Sequence, residues 1–582
     1  MERLLYSCTR CSLRVGEFQE APPSEEFLSL SKSNDAPSPS SVHGKIHAQY
    51  MKTLEALQTL ESHIEQLSVS LDSLRAEKKK MERKRRLYTS ILHPIRQIPP
   101  EILSEIFRFC TAIDTEETDF PACPLTPSSG SFDTRNSPWV LGQVCRSWRA
   151  VALSTTDLWT RIDLAWIRSP INGSGERAEN ALEALLTSQL QRSGKRPLTI
   201  FYTSGLHGDK NVQERLLSRL CAWSSQWENV FLQGDAGVFK SLSQYRGLFP
   251  SLRTLHASFL QDDWSSIADV DGTGPFCAFD AMPGLERLAI TGEAGAVLQR
   301  GDQFQWKQIT HYVAEESAHW WPDLNEHYQI LPKLENVRTV FLNTATPDNW
   351  IPGLPSQPTL QLYFLHTLVV ATPDEGNSAG LEPLLKWLVL PALRILRLPY
   401  GFDCPKALIG LLERSQCSLE ELTIVEMCDS VLDMTDEFIR ILHTSSLRDL
   451  HTLGLGATMF GPFEGQRKLS DDIFKVLTLS EESGQGRILP KLQCLILYGP
   501  DMIWTDGTLL NLVASRRSTE SLGACPLRQL ILWDIGKEGE ESLTPEEAGK
   551  FAELTEGGLS FGIGRGTLDW HASEIPCLPV PD

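Results

Sequence analysis

Little in this sequence invites catalysis. It contains no GxxxxGK[ST] and no HExxH, so a phosphate-cradling loop and a zincin helix are both missing. Positive charge is short as well: 54 Lys and Arg stand against 74 Asp and Glu, a formal net charge of −20. That balance opposes broad electrostatic binding to nucleic acid and favours solubility. The 13 cysteines are scattered and odd in number, which suits no closed disulfide framework. No secretory signal and no apolar run of membrane-spanning length occurs, so the expectation is a cytoplasmic or nuclear protein with no membrane partner.

The near-matches to chemical motifs are weak. Cys8 and Cys11 form a CxxC without a second Cys/His pair at zinc-finger spacing. His43 and His47, like Glu61 and Glu65, sit four residues apart, but no third ligand follows. Gly558-Leu559-Ser560-Phe561-Gly562 matches GxSxG in letters, yet a nucleophile elbow needs a buried strand before the serine and a helix after it. Gly562-Ile563-Gly564-Arg565-Gly566 lacks dinucleotide-loop spacing. Cys404 or Cys417 could meet a histidine only in space. Catalytic residues, metal ligands and cofactors are therefore all expected to be none, and the chain is read as a non-enzyme.

What is present is organised in blocks. At 582 residues the chain exceeds one typical domain. Residues 1–45, with Pro22, Pro23, Pro37, Pro39 and many serines, are expected to be a disordered N-terminus. Residues 46–90 predict a coiled-coil helix. Leu57, Ile64 and Leu71 fall at heptad position a, Leu60, Leu67 and Leu74 at d, and no proline or glycine occurs between Lys45 and Pro94. A parallel homodimer is one reading, and a helix folded back on its own chain is the other. The basic run Lys78 to Arg86 is an import signal or a solvated face.

Residues 91–164 predict two short amphipathic helices. Pro99 and Pro100 open the first, Glu101 suits its dipole, and Ile102, Leu103, Ile106, Phe107 and Cys110 make an apolar face. The second is expected to start with Ser137 as N-cap and Pro138 at the first position, then bury Val140, Leu141, Val144, Cys145, Trp148, Val151 and Ala152. A polar insertion, 113–136, separates them.

Ile98-Pro99-Pro100-Glu101-Ile102-Leu103 with Ile106-Phe107 resembles the opening of the F-box. Val144-Cys145-Arg146-Ser147-Trp148-Arg149 resembles its closing helix, and Asp157-Leu158-Trp159-Thr160 before Ile162-Asp163-Leu164 is similar to the exit of many fungal, agaric-type F-box proteins. The resemblance implies docking on a Skp-type adaptor within an SCF-type cullin–RING ubiquitin ligase complex. The family's adaptor-facing positions map onto Ile98, Pro99, Ile102, Leu103, Ile106, Phe107, Leu141, Val144, Cys145 and Trp148. Some of these must instead hold the helices together, and the sequence does not separate the two groups.

Beyond Leu164 a phrase recurs, P-x-L-x-x-L-x-(L/I), as in Pro250-Ser251-Leu252, Pro283-Gly284-Leu285, Pro332-Lys333-Leu334, Pro391-Ala392-Leu393 and Pro490-Lys491-Leu492. Its first leucine packs at a turn, and the alternation that follows makes a short half-buried strand. Helix-like stretches lie between, at Leu381–Leu388, Ala407–Glu413 and Glu437–His443, so units of about 25–45 residues are expected. Residues 165–535 thus resemble a divergent leucine-rich-repeat domain, and a single compact α/β domain is the competing reading. Thr291 to Glu326 is expected to be a loop or insertion, and 536–582 a cap or tail.

The fold class expected is an N-terminal α coiled-coil helix and a small all-α F-box, followed by an α/β leucine-rich-repeat-like solenoid. The function expected is a substrate receptor that links an unknown protein to the ligase. The alternative is a coiled-coil and repeat interaction scaffold without ligase recruitment.

Overall fold

The computed structural model describes residues 4–7, 14–16, 24–33, 40–111, 134–164, 176–204, 210–259, 277–291, 304–315, 324–343, 359–371, 381–399, 404–425, 434–456, 464–479, 488–499, 504–505, 507–517, 524–533 and 545–564. Cys8, Cys11, the core of the 113–136 insertion, Trp320 and Trp321 lie outside them. The chain divides into two units, Met1–Ile102 and Leu103–Asp582.

The first unit holds an antiparallel strand pair, β1 (Leu4–Ser7) and β2 (Arg14–Gly16), then helices α1 (Glu25–Ser33) and α2 (Ser40–Ile91). Where residues 1–45 are described, they hold these short elements and the start of α2. Glu25, Phe27, Leu28 and Leu30 are adequate helix formers, and the Ser24 carbonyl accepts from the amides of Phe27 and Leu28. Helix α2 runs 52 residues without interruption. Its heptad leucines stay in solvent: Leu57, Leu71, Leu74 and Ile64, the last 65% exposed. The basic run from Lys78 to Arg86 is exposed too, with Glu82 within it half-buried. No helix among the described residues is long and apolar enough to cross a membrane.

The boundary between units falls inside one helix, α3 (Pro100–Thr111). The second unit continues with α4 (Leu141–Val144) and α5 (Arg146–Ser154), then an open sheet. Its strands are β3 (Arg161–Leu164), β4 (Leu198–Thr203), β5 (Trp227–Gly234), β6 (Thr254–Phe259), β7 (Arg287–Thr291), β8 (His311–Glu315) and β9 (Thr339–Asn343). Then come β11 (Thr367–Ala371), β13 (Ile395–Pro399), β14 (Glu421–Val425), β15 (Thr452–Gly456), β16 (Cys494–Tyr498), β17 (Gln529–Trp533) and β18 (Ser560–Gly564). Two short strands, β10 (Leu360–Gln361) and β12 (Leu388–Val389), pair with each other apart from it.

All 14 strands of the sheet are parallel, and each lies beside its neighbours in chain order. Parallel neighbours need a crossover, and helices such as Lys210–Cys221, Cys404–Ser415 and Glu464–Leu477 supply several of them. Successive strands begin between 24 residues apart (Arg287 to His311) and 42 apart (Thr452 to Cys494).

The recurring phrase has a direct structural meaning. Its first leucines, Leu252, Leu285, Leu334, Leu393 and Leu492, are all buried at turns. The alternating strand residues form a cross-strand ladder: Leu255, Leu288, Tyr312, Val340, Leu368, Leu396, Leu422, Leu453, Leu495 and Leu530 are in register. This face shares one core with helix residues such as Leu216, Leu411, Phe438 and Phe474. A second ladder of backbone bonds runs just ahead of the strands, from Arg253 through Glu286, Thr310, Arg338, His366, Arg394, Glu420 and His451 to Gln493 and Arg528. Each unit therefore satisfies its turn amides on the carbonyls of the unit before it.

Two sequence expectations need correction here. The Thr291–Glu326 segment is not merely a loop, because β8 lies within it and takes its place between β7 and β9. Phe304, Trp306 and Ile309 are buried where other units use proline and leucine, so the physical pattern persists with different letters. The second predicted helix is also broken. Residues 134–140 form turns, and Ser137 is not the N-cap. Cys145 is extended (φ −159°, ψ 174°) between α4 and α5, and its Sγ accepts from the Trp148 amide at 3.4 Å. Cys145 is therefore the cap of α5, not a residue on its face.

Beyond Gly536, helix Pro545–Glu556 and β18 add the last crossover and an edge strand. Ser560 of the GxSxG match opens β18, after a helix and a turn, so the order of elements is the reverse of a nucleophile elbow.

Candidate protein-interaction surfaces

The structure separates the motif residues that the sequence leaves mixed. On α3, Leu103 and Phe107 are buried, one turn apart. Ile102, Ile106 and Phe109, spaced i, i+4 and i+7, form a second stripe in solvent, with Ile106 36% and Phe109 79% exposed. Phe107 packs on Trp148 of α5 with ring centroids 5.0 Å apart. Leu141 is buried, whereas Val144 of α4 is 58% exposed. Cys145 is exposed, Trp148 and Ile98 are half-buried, and Pro99 is exposed. Leu103, Phe107 and Leu141 are thus core positions rather than surface ones. Ile106, Val144 and Cys145 remain available in the second unit. Phe109 joins them, although no sequence motif singles it out.

The exit motif anchors these helices to the sheet. Leu158 and Trp159 are buried in a 3₁₀ turn directly before β3. Trp159 Nε1 donates to the Ala152 carbonyl at 2.8 Å. The Trp139 ring meets it edge-on at 5.0 Å, and Arg192 of helix α6 (Glu176–Ser193) lies 4.5 Å over it and 4.7 Å over Trp139. Asp157 pairs with Arg108 of α3 at 3.0 Å and with Arg196 at 3.1 Å. The exposed stripe of α3 is therefore held on a rigid base.

The sheet face opposite the helix-backed core carries a second row of side chains, nearly all of them buried. Register places Asp163, Phe201, Phe231, His256, Ala289, Val313, Phe341, Val369, Arg397, Thr423, Gly454, Ile496 and Ile531 in one cross-strand row. Among the described residues, its apolar clusters hold strand residues only. The row changes character along the sheet. It begins aromatic, with Arg161 4.4 Å over the Phe201 ring and Phe201 stacked on Phe231 at 4.5 Å. It continues apolar from Ala289 to Val369. Then a buried ion pair intervenes, Arg397 Nε to Glu421 Oε1 at 2.7 Å, followed by Thr423. Gly454 is required beside it, because a Cβ there would lie 2.8 Å from the Thr423 hydroxyl. Ile496 and Ile531 form a further apolar patch with Trp533.

His256 in this row is fully buried, with Nε2 2.7 Å from Thr291 Oγ1. Burial lowers its pKa to about 4 from 6.5. The unfolded chain therefore binds the proton first, and His256 contributes stability that is complete above pH 6.5 and is lost as pH falls towards 4. The loss reaches about 3 kcal/mol at its limit. In His256→Gln, the part of the acid destabilisation between pH 6.5 and 4 due to this ring disappears, as denaturant melts across that window would read.

Among the described residues, no group of three or more His, Cys, Asp or Glu could hold a metal ion. No family model matches the chain, and no curated protein matches it.

Proposed function

We propose that this chain is an F-box-type substrate receptor. In this reading α3, α4 and α5 dock on a Skp-type adaptor and so join a cullin–RING ubiquitin ligase. The parallel-sheet region acts as a divergent leucine-rich-repeat-like solenoid and presents a target protein. The chain's contribution is proximity: it holds the target near the ligase's own catalytic subunits, and none of its residues takes part in the transfer.

The observation that carries this reading is the double stripe of α3. A helix serving only its own core would keep polar residues opposite Leu103 and Phe107. This one instead exposes Ile106 and Phe109, and α4 of the same unit exposes Val144. Exposed apolar side chains on a rigid base are what an obligate adaptor interface needs.

Capture of the purified Skp-type adaptor by the full chain tests it. Ile106→Asp and Val144→Asp should each weaken capture about 30-fold while leaving the melting transition unchanged, since both side chains sit outside the core. Failure of the wild-type chain to capture the adaptor would leave the scaffold without ligase recruitment as the better reading.

A further inference from the structure

We infer that the stretch of α2 from Arg75 to Arg86 binds duplex DNA, lying in the major groove and neutralising phosphates on both of its walls. The inference rests on no part of the adaptor reading. It starts from charge that the chain leaves unanswered. Residues 75–91 carry eight Lys and Arg against Glu77 and Glu82, a net of +6, so the rest of the chain carries −26. All eight cations are exposed. Arg75 pairs with Asp72 at 3.4 Å, and among the described residues no ion pair engages the other seven. The Debye length at physiological salt is about 8 Å, so this ~16 Å stretch presents its own charge to a partner rather than the mean of the chain.

The helix sets how the cations are arranged. No glycine or proline occurs between Lys45 and Pro94, and α2 is continuous through the run, so the cations stand on a rod and not on an extended peptide. At about 100° per residue, Arg75, Lys79, Arg83 and Arg86 fall within about 80° of one another and make one rail. Lys80 and Lys84 make a second rail, centred about 120° from the first. Ala76 and Leu87 lie between the rails, and Glu77 and Glu82 lie outside both. Lys78 and Arg85 are on the far side with Met81 and Tyr88. There Leu92 and Pro94 of the following turn line a groove, which Lys84 alone of the rail residues borders.

Two rails select the occupant. An anionic membrane meets a helix from one side and calls for a broad apolar face, which Ala76 and Leu87 do not supply. An acidic polypeptide laid along the helix would need one stripe of cations, not two. The major groove of B-form DNA is about 12 Å wide, admits a helix of about 10–12 Å diameter, and has a wall of phosphates on either side. Small Ala76 then faces the floor while the rails reach the walls. The major groove of duplex RNA is deep and narrow and does not admit the rod. With neither Asn nor Gln from Arg75 to Ile91, the contacts are to phosphate, and binding should depend weakly on base sequence.

The experiment is fluorescence anisotropy of the full chain with a short labelled DNA duplex of mixed sequence, with an RNA duplex of the same sequence and phosphatidylserine vesicles as competitors. Affinity should fall about 500-fold between about 50 and 200 mM salt, as about five phosphate contacts require. Lys79→Gln with Arg83→Gln on the first rail, and separately Lys80→Gln with Lys84→Gln on the second, should each weaken binding at least ~10-fold and flatten the logarithmic salt slope by about 1.8. Lys78→Gln with Arg85→Gln removes as much charge from outside the rails and should weaken binding less than about 3-fold. Glutamine is a good helix former, so the circular dichroism of all three variants should match that of the wild type. Absence of DNA binding by the wild type, insensitivity to either rail pair, an equal loss from the third pair, RNA binding as tight as DNA binding, or displacement of the DNA by vesicles of equal anionic charge would each overturn the proposal.

Discussion

Replacing Arg516 by alanine is expected to cost about 4–5 kcal/mol of local stability, the largest single-residue effect anticipated in this chain. Arg516 is fully buried on helix Thr508–Arg517, yet its guanidinium meets three carbonyls. It donates to Leu477 at 2.8 Å, Leu489 at 3.0 Å and Ile488 at 2.9 Å. Burial lowers its pKa to about 10, still far above neutrality, so the three bonds are charge-assisted. One acceptor belongs to Leu489, whose φ of +48° is a left-handed conformation that a branched aliphatic residue adopts only under constraint. Alanine would remove the constraint, strand buried carbonyls and leave a cavity. Arg516→Lys keeps the charge but lacks the fork, so about half the loss should remain. Hydrogen exchange over 464–517 is the suitable readout, because stacked units open locally rather than all at once. Unchanged protection there in Arg516→Ala would refute the role given to the guanidinium.

Trp159→Ala should cost nearly as much, about 3–5 kcal/mol, but at the other end of the sheet. The ring is buried, bonded through its N–H to Ala152, met edge-on by Trp139 and covered by Arg192. Its loss would release α4 and α5 from the base that β3 provides. Exchange should therefore accelerate across 141–164 while the strands from β13 to β17 keep their protection. On the proposed function, adaptor capture should fall as well, through loss of the base rather than of a contact. Trp159→Phe, which keeps the ring packing and loses only the N–H bond, should restore most of both. Equal acceleration across the whole sheet would show that the tryptophan supports the sheet and not the helices specifically.

The leucine phrase made the parallel α/β region legible because it encodes two separate physical facts, a buried turn and an alternating strand. Where the same facts are written in other letters, as with Trp306, Ile309 and Tyr312 around β8, the pattern is invisible to a search for leucine. The row opposite the helix-backed core was not legible at all. It consists of the residues between the leucines, and their neighbours are set by register across strands that are dozens of residues apart. The helical module shows a finer limit. Ile106 and Phe107 are adjacent and both apolar, so periodicity assigns them to one face, yet one points to solvent and the other to the core. A wide apolar face becomes two faces only once the neighbouring helices are placed. The break at Cys145 escaped notice because cysteine is an unusual cap, its sulfur standing in for the oxygen of serine.

The strict chain-order pairing of the sheet also makes it a ruler. Arg397 lies eight strand steps from β3, which is ~38 Å at the spacing of neighbouring strands. Loss or duplication of one strand-and-crossover unit between them would leave both surfaces intact and every remaining pairing parallel. It would move one surface about 5 Å along the sheet relative to the other. Spacing along the sheet can thus change in uniform increments without any change in the residues at either end.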